Sequence, residues 1–353
     1  MRLLQSDAYR ILLQNTAKTV VDWDQLHGKK LMISGATGMI GSFLIDLLMF
    51  KNQADDLCCT VIALGRYEEK AKLRFSEYWD SDYFKFYVCD INQPLSAIDE
   101  PVDYVLHAAS NTHPLAYSTD PIGTVTANII GTQNMLEYAA EHGVKRFVFA
   151  SSVEVYGENR GDIDAFDESY CGYINCNTLR AGYPESKRAG EALCQAYIAQ
   201  KSMDIVIPRL ARTYGPTMLM SDSKAISQFI KKGLAKEDIV LKSEGSQLYS
   251  YTFVADAVTG ILCCMLYGEC GMAYNVVGTG SDITLRELAQ LIADYAGRKV
   301  VFDLPSETER KGYSTATKAI MNGERIAGLN WKASATIKTG ILETMQILSE
   351  VLE

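Results

Sequence analysis

The stretch Lys30-Leu-Met-Ile-Ser-Gly-Ala-Thr-Gly-Met-Ile-Gly-Ser42 decides how the rest of this chain is read. Its first five residues are a short apolar run of strand length. Gly35, Gly38 and Gly41 follow, interleaved with Ala36, Thr37, Met39 and Ile40, and an apolar helical pattern then continues to Phe50. Glycines at this spacing let the backbone turn tightly and approach a pyrophosphate. The helix N-terminus behind them offers free N–H donors and the positive end of a dipole. Strand, glycine turn and helix in that order predict a dinucleotide site on Gly35, Thr37, Gly38, Met39, Ile40 and Gly41. The competing reading is a glycine turn used only for packing.

Working outward, short apolar runs recur at 60–64, 85–89, 103–107, 146–150 and 204–208, with helical patterns at 121–142 and 183–201. Such alternation predicts an α/β fold, a doubly wound parallel sheet of Rossmann type. Residues 1–28 read as a helical extension, with Leu3, Leu4, Tyr9, Leu12 and Leu13 at helical spacing. Residues 29–210 read as the dinucleotide-binding domain, with a return segment at about 250–275. After Arg209 the rhythm breaks. Helical patterns return at 255–267, in the return segment, and at 284–296, 317–328 and 335–351, and segments 211–249 and 276–353 read as a smaller C-terminal α/β substrate-binding lobe.

The composition narrows the function classes. Among 353 residues, 34 Lys and Arg against 43 Asp and Glu give a net charge of −9, which argues against nucleic acid or an anionic membrane as the main partner. Nine cysteines and four histidines show no zinc-ligand spacing, so no metal is expected. No apolar run approaches the ~20 residues of a membrane span, and the first residues lack the apolar core of a secretory signal. The expectation is a cytoplasmic protein in a reducing setting.

The second strand ends Leu64-Gly65-Arg66, where an NAD site usually places an acidic residue for the ribose. Arg66 accommodates a 2′-phosphate, and hence NADP, or else stacks on adenine or lies in solvent. The reading favours NAD with NADP as the alternative. Asp90 and Ile91 are placed to hold the adenine edge. Ala108, Ala109 and Ser110, after His107, are small enough to lie against the cofactor.

The fifth strand runs into Ser151-Ser-Val-Glu-Val-Tyr-Gly157, and Tyr183-Pro-Glu-Ser-Lys187 opens a later helix. Residues four apart share a helix face, so Lys187 stands one turn from Tyr183. An ammonium and a nicotinamide charge would lower a phenol pKa from its usual ~10. The tyrosinate can then take a proton from a sugar hydroxyl as hydride leaves its carbon. Ser152 can hydrogen-bond the same oxygen. Glu154, two residues beyond Ser152 on a segment read as extended, is expected to face the sugar as well. Its bland alternative is a cap on a neighbouring backbone N–H.

These residues resemble the extended short-chain dehydrogenases/reductases of the nucleotide-sugar epimerase/dehydratase kind. The resemblance covers nearly everything from Lys29 onward. It is carried by GATGMIGS (35–42), HAAS (107–110), TANIIGTQN (126–134), SSVEVYG (151–157), YPESK (183–187), RLARTYGPTM (209–218), FVADAV (253–258), YNVVGTG (274–280) and the Gly-Leu-Asn-Trp at 328–331. The subgroup it most resembles is UDP-glucuronate decarboxylase, through residues 107–136 and the GSQ…FVADAV region.

The resemblance implies Tyr183 as the C4 base, Lys187 as its partner and Ser152 as the hydroxyl on O4. Asn128 would position the lysine through ordered water. Glu154 matches the acid that decarboxylases and some 4,6-dehydratases carry, whereas simple 4-epimerases usually have none there. Substrate contacts fall on Ser110, Arg212 and Tyr249. At the last two the chain departs from the family, which usually has Asn and Arg in those places. Either Arg212 replaces the lost cation at 249, or it is a structural ion-pair residue. The implied enzyme oxidises C4 of a nucleotide-bound hexose with NAD(P)+, then decarboxylates or dehydrates it at C5/C6. The alternatives are a nucleotide-sugar 4-epimerase and a non-catalytic cofactor-binding sensor. A homodimer through helices near 121–142 and 181–201 is implied in the same way.

Overall fold

The apolar runs become short parallel strands, the central ones buried on both sides and the edge strand at 84–88 partly exposed. The computed structural model describes residues 2–19, 22–112, 117, 119–278, 280–303 and 317–352. Residues 113–116 and 118 of the 107–136 stretch, and Thr279 of YNVVGTG, lie outside them.

The strands in chain order are β1 (Lys30–Ser34), β2 (Thr60–Gly65), β3 (Phe84–Val88), β4 (Tyr104–His107), β5 (Arg146–Phe149), β6 (Ser151–Ser152), β7 (Ile205–Leu210), β8 (Arg212–Tyr214), β9 (Ile239–Leu241), β10 (Leu248–Phe253), β11 (Ala273–Val276), β12 (Asp282–Thr284), β13 (Val300–Phe302) and β14 (Lys318–Ala319). The main sheet runs β11-β7-β5-β4-β1-β2-β3, with β6 also on β7, and every pairing in it is parallel. Its order turns back between β1 and β4, which opens a crevice at the carboxyl ends of those strands.

Side chains alternate across the sheet. Leu31, Ile33, Val61 and Ala63 meet Phe43 and Leu47 of the helix Met39–Asp55 and Ile261 of the helix Val254–Tyr267. Met32, Ile62, Val105 and Phe147 meet Met135 of the helix Pro121–Glu141 and Cys194 of the helix Gly182–Lys201. Helices therefore cover both faces, as the sequence predicts. The N-terminal helix Asp7–Thr19 packs on this body. The Tyr9 hydroxyl donates to Asp46 at 2.5 Å, and Asp46 is ion-paired with Arg74. The Ser6 hydroxyl donates to Glu350 at 2.5 Å, tying the extension to the C-terminal helix Ile337–Leu352.

The later part of the chain differs from its sequence reading in two places. Segment 215–248, for which the sequence reading gives no helix, holds the helix Ala225–Leu234 and strand β9. Segment 317–328, read as helical, is instead strand β14, a turn and the four-residue helix Glu324–Ala327. The turn forms because the Asn322 side chain accepts from the backbone N–H of Glu324 at 2.8 Å, a local bond that competes with helix. β14 pairs with β10, which also carries β12 and β8. Asp256 accepts three bonds, from the Ser334 N–H and hydroxyl and the Ala335 N–H, and so fixes the C-terminal segment to the main body.

Candidate active site

Gly35 leaves β1 at φ +73°, and a Cβ there would lie 2.8 Å from the Ala108 carbonyl oxygen. A Cβ at Gly41 would lie 2.5 Å from the Gly35 carbonyl oxygen. Only glycine permits this closeness of loop, helix and neighbouring strand. Gly38 caps the helix Met39–Asp55 without a side-chain bond, so the first N–H groups of the helix face the crevice. The cradle fits a dinucleotide pyrophosphate. Ser34 braces it from beneath, its hydroxyl accepting from the Ala108 and Ala109 N–H groups at 3.2 Å each.

The other cofactor candidates follow the same edge of the sheet. Arg66 stands exposed just past β2, its guanidinium 5.6 Å from the Tyr67 ring centroid. Gly65 is small for a local reason: a Cβ there would meet the Phe86 ring at 3.0 Å. Past β3, the Asp90 carboxylate accepts from the Asn92 N–H at 3.0 Å, and the Asn134 side chain donates to the Ile91 carbonyl at 2.8 Å. Ala108, Ala109 and Ser110 lie half-buried past β4.

The reacting end lies beside it. Tyr183 is buried in the first turn of Gly182–Lys201. Burial pushes its phenol up to about 12, the hydrogen bond with Ser152 pulls down, Glu154 adds to the rise and Arg180 opposes it. Lys187 donates to the Ala150 carbonyl at 2.8 Å, 4.8 Å from the Phe149 ring centroid. Burial lowers its ammonium to about 8, against the pull of Glu191. Glu154 and Arg180 thus join Lys187 among the charged side chains around Tyr183. Asn128 is fully buried and donates to the Ser186 hydroxyl at 3.0 Å, while its own Oδ1 meets no partner among the described residues. A polar atom in that state suits a bridging water.

The extended reading of 151–157 holds only to Ser152. Val153–Tyr156 is a 3-10 turn, because the Ser152 hydroxyl accepts from the Glu154 N–H at 3.3 Å. Strand alternation therefore does not aim Glu154. Arg180 does, donating to its carboxylate at 2.7 Å. Burial works against the Arg180 charge and Glu154 more than offsets it, holding the guanidinium above its ordinary value. Arg212 lies 3.9 Å from the other Glu154 oxygen and over the Tyr249 ring, Cζ 3.7 Å from the centroid. Tyr117 stacks on Tyr183 at 5.1 Å, with Arg180 on the Tyr117 ring at 5.1 Å. Ser152, Glu154, Tyr183, Arg212 and Tyr249 thus converge, while Ser110 sits with the dinucleotide edge and bonds the Asn111 carbonyl.

Sequence reasoning missed Arg180, Tyr117 and Glu191. The spacing signal for Arg180 was present, three residues ahead of Tyr183. Glu191, one turn beyond Lys187, accepts from Ser151 at 2.5 Å and takes both prongs of Arg209 at 3.0 and 2.7 Å. These bonds fix the helix behind Lys187.

Comparison with known proteins agrees with the fold. The model of the NAD dependent epimerase/dehydratase family matches residues 31–277. UDP-glucuronic acid decarboxylase 5 of Arabidopsis thaliana is 30% identical over 317 residues, covering 88% of this chain and 87% of that protein. UDP-glucuronic acid decarboxylase 1 of Danio rerio is 30% identical over 329 residues, covering 92% and 74%. In fold, the chain is similar to UDP-glucose 4-epimerase from Thermotoga maritima, with TM-score 0.78, 21% identity, and 92% and 100% coverage. It is similarly close to an NAD-bound dTDP-glucose 4,6-dehydratase from Streptomyces venezuelae, with TM-score 0.79, 24% identity, and 91% and 97% coverage.

Proposed function

The chain belongs to the NAD dependent epimerase/dehydratase family, and from that premise we propose that it oxidises C4 of a nucleotide-bound hexose and then acts at C5/C6. Decarboxylation of a uronic acid is the favoured outcome and dehydration the neighbouring one. The supporting observation is that Glu154 sits next to Ser152 and is held at 2.7 Å by Arg180 from the turn just before Tyr183, which gives the site an acid–base group beyond those needed at C4.

Tyr183 accepts the O4 proton while Ser152 holds the same oxygen. Bound NAD supplies a hydride acceptor and later the same hydride, so no outside reductant is needed. The 4-keto group stands β to a C6 carboxylate. The C5–C6 bond can then break with its electrons passing to the keto oxygen, and CO2 leaves. Ser152 and protonated Tyr183 stabilise the charge that develops there. Glu154 manages the proton at C5.

The protein is expected to act as a homodimer through the helix Pro121–Glu141, where Ile122 is 77% and Ile130 43% exposed. A cytoplasmic setting suits its cysteines, all of them free. No helix among the described residues is long and apolar enough to cross a membrane.

The test is mass spectrometry of nucleotide sugars incubated with the protein and NAD+ or NADP+. Loss of CO2 from UDP-glucuronate is expected. Loss of water would select the dehydratase. An unchanged mass with altered stereochemistry would select the 4-epimerase, and no turnover of any nucleotide sugar would leave the sensor.

A further inference from the structure

Ser34, His107 and Thr132 come from β1, β4 and the helix Pro121–Glu141, and all three are buried. They form one line of hydrogen bonds beneath the glycine cradle. Nδ1 of His107 lies 2.7 Å from the Ser34 hydroxyl and Nε2 lies 3.1 Å from the Thr132 hydroxyl. Thr132 in turn lies 2.6 Å from the Asn128 carbonyl. At the other end the Ser34 oxygen meets the Ala108 and Ala109 N–H groups at 3.2 Å each, the first of them shared with the Ser34 carbonyl at 3.3 Å.

Only one placement of protons satisfies this line. A carbonyl oxygen cannot donate, so the single proton of Thr132 goes to Asn128. Thr132 then accepts from the ring, which puts a proton on Nε2. Burial first, and the Lys187 charge second, keep the imidazole neutral, so Nδ1 is bare. Ser34 donates to Nδ1, and both lone pairs of its oxygen are left for Ala108 and Ala109. The opposite tautomer would bring a third donor to the Ser34 oxygen. Its bare Nε2 would also compete with Asn128 for the Thr132 proton.

We propose that His107 is a positioning residue for the dinucleotide: by donating from Nε2 to Thr132 it turns the Ser34 proton inward, and so holds the Ala108–Ala109 backbone against the glycine cradle. A Cβ at Gly35 would lie 2.8 Å from the Ala108 carbonyl oxygen and 2.9 Å from the Ala109 Cα, so a shift of that backbone moves the wall of the cradle. The far end of the line is anchored at the reacting end. The Asn128 amide donates to the Ser186 hydroxyl at 3.0 Å, and Ser186 donates to the Tyr183 carbonyl at 2.9 Å. The proposal rests on the reading of Gly35–Gly41 as a dinucleotide site.

The experiment is calorimetric titration with NAD+ and NADP+ of wild type, Thr132→Val, Ser34→Ala and the double variant. Valine matches threonine in shape but takes away the acceptor that fixes the tautomer. Each single variant is expected to weaken cofactor binding about 3- to 10-fold. With the Ser34 oxygen gone, the tautomer no longer reaches the cradle, so the double variant should bind no more weakly than Ser34→Ala. Losses that multiply in the double variant overturn the proposal. So does a Thr132→Val protein that unfolds at lower urea yet binds cofactor as wild type does. Should the Ser34 or Thr132 variants not fold, nitrogen-15 NMR of histidine-labelled wild type decides. His107, identified among the four histidines by the signals missing from His107→Gln, is expected to carry its proton on Nε2. A proton on Nδ1 overturns the proposal and leaves the dinucleotide reading intact, whereas wild type that binds neither cofactor overturns both.

Discussion

Arg180 donates to the carboxylate of Glu154 at 2.7 Å, joining the turn after β6 to the turn that precedes Tyr183. The pair spans 26 positions of chain and brings a carboxylate to the turn that leads into Tyr183. Glu154 is therefore held in the site by a cation, not by the pleat of a strand.

Glu154→Gln tests what that carboxylate does. Glutamine keeps the size and can still accept from Arg180, but it cannot take or give a proton. If Glu154 acts after oxidation, reduced cofactor and a 4-keto sugar should accumulate in stopped-flow absorbance. Final product should fall by about 10²–10⁴-fold. Normal hydride transfer with normal product formation would make Glu154 structural and move the 4-epimerase reading into first place.

Tyr183→Phe removes one oxygen and keeps the ring that stacks on Tyr117. NAD uptake and fold should remain, since the cradle at Gly35–Gly41 is untouched. Turnover should drop about 10²–10⁴-fold, and the remaining rate should no longer carry the pH dependence of the phenol. Near-normal turnover in a steady-state assay would remove Tyr183 from the mechanism.

The parallel sheet was legible because buried strands read as short apolar runs between turns. β1 and β2 start where the sequence puts them, and β2 extends only one residue further. The glycine turn was legible because Gly35 and Gly41 leave no room for a Cβ. The arrangement around Glu154 was not legible. It depends on a Ser152 hydroxyl that turns the backbone and on Arg180, distant in sequence. Helix Ala225–Leu234 was legible, with Ile226, Phe229, Ile230 and Gly233 at helical spacing, but the lysines and serines around it drew the reading away. Segment 317–328 has helical spacing, but β10 offers it a strand partner and Asn322 a turn, and tertiary pairing overrides propensity.

The last expectation concerns His107, whose ring is enclosed between strand and helix. Nδ1 lies 2.7 Å from the Ser34 hydroxyl and Nε2 3.1 Å from the Thr132 hydroxyl. Burial first, and the Lys187 charge second, lower its imidazole to about 3. In the unfolded chain a histidine titrates near ~6.5. A pKa lowered by folding means that the unfolded state takes up the proton first. The stability tied to neutral His107 is fully present above about pH 6.5 and is lost as pH falls from there toward about 3. Between pH 7 and pH 5 the loss should be ~2 kcal/mol. His107→Gln should be less stable than wild type at pH 7, by about 1 kcal/mol or more for the disturbed bonds. It has no imidazole to protonate, so urea unfolding at pH 5 should show the balance shifted by ~2 kcal/mol in the variant's favour, enough to remove or reverse the gap. A gap that stays constant between the two pH values would mean that the folded protein carries imidazolium at His107. Ser34 and Thr132 would then both have to accept from the ring, and Ser34 could no longer point its proton at it.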